Sequence, residues 1–67
     1  MMRIAVIGAG AAATELHIPA INASGVARVT WLVDSNIQQA RRLASAIGVT
    51  QVSSDYREVS GVDAAIV

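Results

Sequence analysis

Apolar and polar positions change their period several times along the chain. Arg3 to Ile7 reads as a nearly continuous apolar run with β-branched residues, the pattern of a parallel strand covered on both faces. A helical stretch follows from about Ala11 to Ala23, and Pro19 within it predicts a break or a fresh turn near His17-Ile18. Ser24-Gly25 punctuate its end. Ala27 to Val33, rich in Val, Thr and Trp, predicts a second strand in which Trp31 alternates with Val29 and Val33. The second helix carries the fullest set of signals. Ser35 is its expected cap, with Gln38 completing a capping box. Ile37, Ala40, Leu43, Ala44 and Ile47 fall on one helical face, and Gly48 stands where a helix end takes a left-handed residue. Thr50 to Ser53 predicts a short third strand. Asp55 and Glu58 form a second capping-box pattern, for a brief helix through Val59 that Gly61 breaks, and Asp63 to Val67 opens a fourth strand.

This alternation is β-α-β-α-β-(short α)-β with short connections. Right-handed crossovers then give an α/β fold with a parallel sheet in the order 3-2-1-4. No internal repeat, low-complexity segment or linker divides the chain, so residues 1–67 form one unit. It is expected to be the N-terminal part of a dinucleotide-binding domain, with the catalytic and substrate domain absent. A doubly wound sheet needs helices on both faces, yet A-A-I-V closes the chain with nothing to cover its last strand. The expectation is a longer protein; the alternative is a chain that completes its sheet by association.

Composition narrows the chemistry. The 67 residues are 54% hydrophobic and 3% aromatic, so the core is built from Val, Ile, Leu and Ala, as α/β layers are. A chain of this size hides only ~60% of its unfolded surface. With no cysteine there is no disulfide framework, thiolate metal site or thiol nucleophile. A formal net charge of zero leaves no electrostatic footprint for nucleic acid or an anionic membrane. No apolar run approaches the ~20 residues of a membrane span. Met1-Met2-Arg3 and Ala11-Ala12-Ala13 imitate a secretory leader, but two glycines inside so short a stretch fit a phosphate loop better. The expected location is cytoplasmic.

That loop is I-A-V-I-G-A-G-A-A-A, a strand running into Gly8, Gly10 and Ala13 in the pattern G-x-G-x-x-A. Gly8 allows the tight turn, Gly10 lets backbone approach a pyrophosphate, and Ala13 lets the helix lie close on the strand. The N–H groups of the first helical turn, from Ala11 and Ala12 onward, are expected to face the anion. Asp34 ends the second strand, 21 positions after Ala13, where a Rossmann-type domain places the carboxylate that accepts from the adenosine ribose hydroxyls. Its charge repels a 2′-phosphate, and Ser35, Asn36, Ile37 and Gln38 include no cation to welcome one, so NAD is favoured over NADP. The competing reading of Asp34 is an ordinary turn residue ahead of a helix.

The remaining polar residues carry less. His17 reads as a packing or capping residue, and no second ligand stands at i+3 or i+4 to make a metal site. Trp31 reads as core or sheet-edge packing rather than a stacking partner for adenine. Tyr56 is expected to cap the core beneath the short helix, and Glu15, Arg41 and Arg42 to be solvated. No Ser-His-Asp arrangement or carboxylate pair is present to argue from.

Taken together, four segments resemble the N-terminal domain of the Gfo/Idh/MocA oxidoreductases: R-I-A-V-I-G-A-G-A-A-A, H-I-P-A-I from His17, L-V-D-S-N at Asp34, and S-D-Y-R-E-V…V-D-A-A-I-V. The likeness spans the chain. The first and third segments are shared by many Rossmann proteins; the second and fourth are more particular. The resemblance implies NAD(P)-dependent hydride transfer to or from a hydroxyl of a sugar, cyclitol or related small molecule. It carries cofactor roles to Gly8, Gly10, Ala11, Ala12, Asp34 and Ser35, beside the packing role of Ala13. In such enzymes a loop after the fourth strand, a lysine in an E-K-P-type motif and a second, oligomerising α/β domain complete the site. None of these falls within the 67 residues, so no catalytic residue is assigned. The implied partners are the dinucleotide, a small-molecule substrate in a longer chain, and a further copy of the chain. Two other classes share parts of the pattern. A methyltransferase-like fold would bind S-adenosylmethionine, but it carries an acidic residue ahead of its loop and a final glycine, where Val6-Ile7 and Ala13 stand here. A non-catalytic nucleotide sensor or regulatory subunit would keep Gly8, Gly10 and Asp34 but never acquire a catalytic lysine. Flavin-type domains share V-I-G-A-G but place Glu where Asp34 stands.

Overall fold

Parallel strands need crossovers, and the helices that make them must bury an apolar stripe on the sheet. The computed structural model describes residues 1–8 and 18–66, and its order is set by that requirement. Strands β1 (Met2–Ile7), β2 (Ala27–Val33), β3 (Gln51–Ser53) and β4 (Ala64–Ile66) form one sheet in the order β3-β2-β1-β4. All three pairings are parallel. Helices α1 (Ile18–Ala23) and α2 (Ile37–Ile47) make the first two crossovers. Of the helix expected over 11–23, only α1 lies within the described residues. Pro19 sits in its first turn, where the missing N–H costs no bond.

The core is the seam between the sheet and these helices. Ile4, Val6, Ile18, Val29, Leu32 and Ala44 form a buried cluster, with Ile21, Leu43, Ile47 and Val52 packed against it. In α2 the predicted stripe is turned inward: Ala40 and Ala44 are fully buried, and Arg41 and Arg42 are exposed on the outer side. Two alanines there let the helix lie close on β2.

One feature of β2 departs from regular alternation. Ile4 pairs with Val29, but Ala5 pairs with Trp31, so Thr30 is an extra residue bulged out of the ladder. The bulge resets the phase. Val29 and Leu32 share the core face, and Trp31 turns to the other side, away from Val29. The expected alternation of Trp31 with Val29 is therefore wrong, though its packing role stands. Trp31 is half-buried, and its indole N–H donates to the Ser60 carbonyl at 3.1 Å, tying down the chain that crosses from β3 to β4.

The caps differ from expectation in an instructive way. Helix α2 is capped by Asn36, whose Oδ1 accepts from the Gln39 N–H at 3.2 Å, and not by Ser35. The Ser35–Gln38 capping box does not form. Asp34 Oδ1 accepts from the Asn36 N–H at 2.8 Å, and this Asx turn carries the chain one residue further before the helix begins. At the other end Gly48 adopts φ 78°, ψ 22°, and its N–H returns to the Ala44 carbonyl, as predicted.

Beyond β3, Asp55 caps a single 3₁₀ turn over Tyr56–Glu58 by accepting from the Arg57 N–H. Its capping box with Glu58 is displaced by Ser53. The Ser53 hydroxyl accepts from the Asp55 N–H at 2.9 Å and donates to Glu58 Oε1 at 2.6 Å, so Glu58 never reaches the Asp55 amide. Tyr56 is 64% exposed and does not cap the core. The turn is pinned to the sheet edge by Ser53, and Tyr56, its first residue, is presented outward. The Asp63 carboxylate accepts from the Arg3 N–H at 2.7 Å, and the Asp63 N–H donates to the Arg3 carbonyl at 2.8 Å, which sets β4 in register on β1.

Candidate functional site

The carboxyl ends of β1, β2 and β3 are laced together by main-chain bonds that continue past the strands. The Gly8 N–H donates to the Val33 carbonyl at 2.7 Å, and the Asp34 N–H donates to the Ser53 carbonyl at 3.1 Å. Gly8, Asp34 and Ser53 thus stand in a row along one rim of the sheet. In an open α/β sheet this rim, at a point where strand order reverses, is where ligands bind. The reversal here lies at β1, between β2 and β4.

Gly8 adopts φ +91°, a conformation that strains any L side chain, and a Cβ built there would meet no heavy atom within 4 Å. The glycine is thus demanded by the turn rather than by crowding, and the space above it is open to an approaching ligand. Asp34 is half-buried. Its Oδ1 also receives the exposed Ser35 hydroxyl at 3.5 Å, so the carboxylate is held in one orientation by the turn that starts α2. The two readings of Asp34 are therefore compatible: the same side chain shapes the turn and presents an anion at the rim. A glycine turn open above β1 and an oriented carboxylate above β2 suit the pyrophosphate and the ribose diol of a dinucleotide. Gly10, Ala11, Ala12, Ala13, Glu15 and His17 lie outside the described residues.

Two carboxylates are held below their usual range by hydrogen bonds, Asp55 in the turn after β3 and Asp63 at the opposite rim, just ahead of β4. For Asp55 the Arg57 guanidinium is the larger cause and the Arg57 N–H the second. For Asp63 the Arg3 N–H leads, followed by the Arg3 side chain. Ser53 is the buried polar side chain among the described residues, and nothing in the sequence pattern marks it beyond its place before Ser54-Asp55. A cavity of about 340 Å³ opens at the opposite rim, lined by Asn22, Arg28, Thr30 and Gln51 among others. It stands at the amino ends of β2 and β3, away from Gly8 and Asp34. Among the described residues no three His, Asp or Glu side chains converge as a metal site would require. No described helix is long and apolar enough to cross a membrane.

Comparison with known proteins agrees with this geometry. The model of the GFO_IDH_MocA group, described as an oxidoreductase family with an NAD-binding Rossmann fold, matches residues 2–67. Among curated proteins, none matches the sequence. An oxidoreductase from Thermotoga maritima superposes with a TM-score of 0.85 at 32% identity, over 96% of this chain and 21% of its own. A variant of KijD10, a 3-ketoreductase from Actinomadura kijaniata solved with TDP-benzene and NADP, gives 0.84 at 27% identity, over 96% and 20%. An oxidoreductase from Agrobacterium radiobacter solved with NAD+, L-tartaric acid and magnesium gives 0.88 at 18% identity, over 96% and 19%, a likeness of fold. The chain therefore spans about a fifth of the length of these relatives.

Proposed function

This chain belongs to the Gfo/Idh/MocA oxidoreductase family, and we propose that it is the NAD-binding portion of an enzyme acting on a sugar, cyclitol or related hydroxy compound. The observation that carries the reading is the 2.7 Å bond from Gly8 to Val33. It brings the open glycine turn of β1 beside the residue preceding Asp34. Two features that are 26 positions apart in sequence, at 8 and 34, thereby serve one ligand. Gly8, with Gly10, Ala11, Ala12 and Ala13 after it, would receive the pyrophosphate. Asp34 would accept from the ribose hydroxyls, with Ser35 beside it. The nicotinamide, when bound, supplies or accepts the hydride. Every role assigned to this chain is one of binding and orientation. A cytoplasmic location and a homo-oligomeric assembly belong to the same proposal.

NAD is favoured over NADP on electrostatic grounds. A 2′-phosphate oxygen beside Asp34 would place like charges ~4 Å apart, at a cost of ~1 kcal/mol in water and ~4 kcal/mol near a protein surface. Relatives of this chain have been solved with either cofactor, so the local residues must decide. The test is titration of the chain with NAD, NADP and S-adenosylmethionine, followed by calorimetry or fluorescence. NAD should bind more tightly than NADP, though weakly, because the chain spans about a fifth of the length of its relatives. Asp34→Ala should weaken NAD about tenfold or more and NADP much less. Equal weakening would sink the ribose assignment, and tight binding of S-adenosylmethionine would sink the dehydrogenase reading.

A further inference from the structure

Resting on that reading, we infer that the turn after β3 is the adenine wall of the site and that Tyr56 is the residue on which the base stacks. The direction of the bound molecule follows from the order of the strands. With the pyrophosphate over the end of β1 at Gly8 and the ribose over the end of β2 at Asp34, the molecule runs outward across the sheet. Neighbouring strands are ~4.8 Å apart, so the base attached to that ribose continues toward the end of β3. That end is joined to Asp34 directly, through the Ser53 carbonyl. Tyr56 follows three residues later, within ~10 Å of Ser53 along the chain.

The turn that presents Tyr56 is held rigidly. Ser53 clamps it through the Asp55 N–H and Glu58 Oε1. The Arg57 guanidinium grips the Asp55 carboxylate with Nε at 3.0 Å and the terminal nitrogen at 3.0 Å. That pair cancels its own charge, so the wall suits a neutral base. Four large apolar residues are exposed among those described: Met1, Met2, Val26 and Tyr56. The first three lie at or before the amino ends of β1 and β2. Tyr56 is thus the exposed aromatic on the ligand rim among the described residues. A rigid, exposed ring at the point where a base arrives supplies a stacking platform, and such stacking tolerates truncation poorly.

The chain contains a single tyrosine, so its ring resonances are assigned without ambiguity in a proton NMR titration of the 67-residue protein. Addition of NAD should shift the Tyr56 ring resonances upfield, through the ring current of the stacked base. Nicotinamide mononucleotide, which lacks adenine, should leave them in place. Tyr56→Ala should weaken NAD binding roughly 5- to 100-fold, and Tyr56→Phe should stay within about twofold of the original. If Asp34→Ala weakens NAD but Tyr56→Ala does not, the adenine wall is wrong while the cofactor reading stands. A ring shift of equal size with the mononucleotide would also overturn it. Failure of the original chain to bind NAD would remove both.

Discussion

Thr30 offers a sharp test of the packing argument, because it predicts a gain rather than a loss. The bulge in β2 leaves its hydroxyl oxygen buried and without a hydrogen-bond partner, the one such side-chain atom among the described residues. A buried hydroxyl deprived of water and of a partner costs ~1–3 kcal/mol. Thr30→Val replaces that hydroxyl with a methyl group of nearly the same shape, and both residues favour extended backbone. The transfer therefore removes the penalty without making a cavity. The variant should be more stable by about 1–2 kcal/mol, allowing for some relaxation. In a domain of this size that corresponds to a rise in Tm of ~4–8 °C per kcal/mol. Urea and thermal unfolding followed by circular dichroism, with the Trp31 fluorescence as a second probe, would measure it. The midpoint should rise while the m-value is unchanged. Destabilisation by more than ~0.5 kcal/mol would refute the reasoning. It would mean that the hydroxyl holds a partner, such as a water in the adjoining cavity, whose loss costs more than burial did.

Other consequences are simpler to state. Gly48→Ala should destabilise the fold by about 1–2 kcal/mol, because φ 78° burdens a Cβ even where it touches nothing; chemical denaturation measures this. Stability should fall on acidification through Asp55 and Asp63. Both folded-state pKa values are depressed, so their contribution is complete above the unfolded carboxylate value near 4 and is lost as pH drops through the folded values. Asp63→Asn should flatten that acid limb in a pH series of thermal melts, whereas an unchanged limb would remove Asp63 from the account. The Asp34 and Tyr56 variants extend the series from stability to binding.

Much of this architecture was legible in the residues themselves. The apolar run at Ile4–Ile7, the helical stripe from Ile37 to Ile47 and the glycine at 48 each state a local preference, and short connections leave one handedness for the crossovers. The sheet order followed from those alone. The cap of α2 was misplaced by one residue because Ser35 and Asn36 are both good caps. In the fold the Ser35 hydroxyl is turned to the Asp34 carboxylate and the Asn36 side chain takes the Gln39 N–H, so the helix starts one residue later. Trp31 keeps its phase with Val33 but loses it with Val29, because alternation assumes an unbroken ladder and no residue type announces the bulge at Thr30. Tyr56 was expected inside because large apolar residues favour burial, yet the turn that Ser53 clamps to the sheet edge presents its ring to the outside.

Sequence alone determined what depends on neighbours along the chain: element types, their order, the glycine turn, and an acidic residue ending the second strand. Tertiary structure decided what depends on residues far apart in sequence. It set Val33 against Gly8 and Ser53 against Asp34, turned Trp31 away from the core, and left Tyr56 on the rim. Side-chain periodicity is a property of one segment, whereas register between strands and competition for a shared amide exist only once the segments meet.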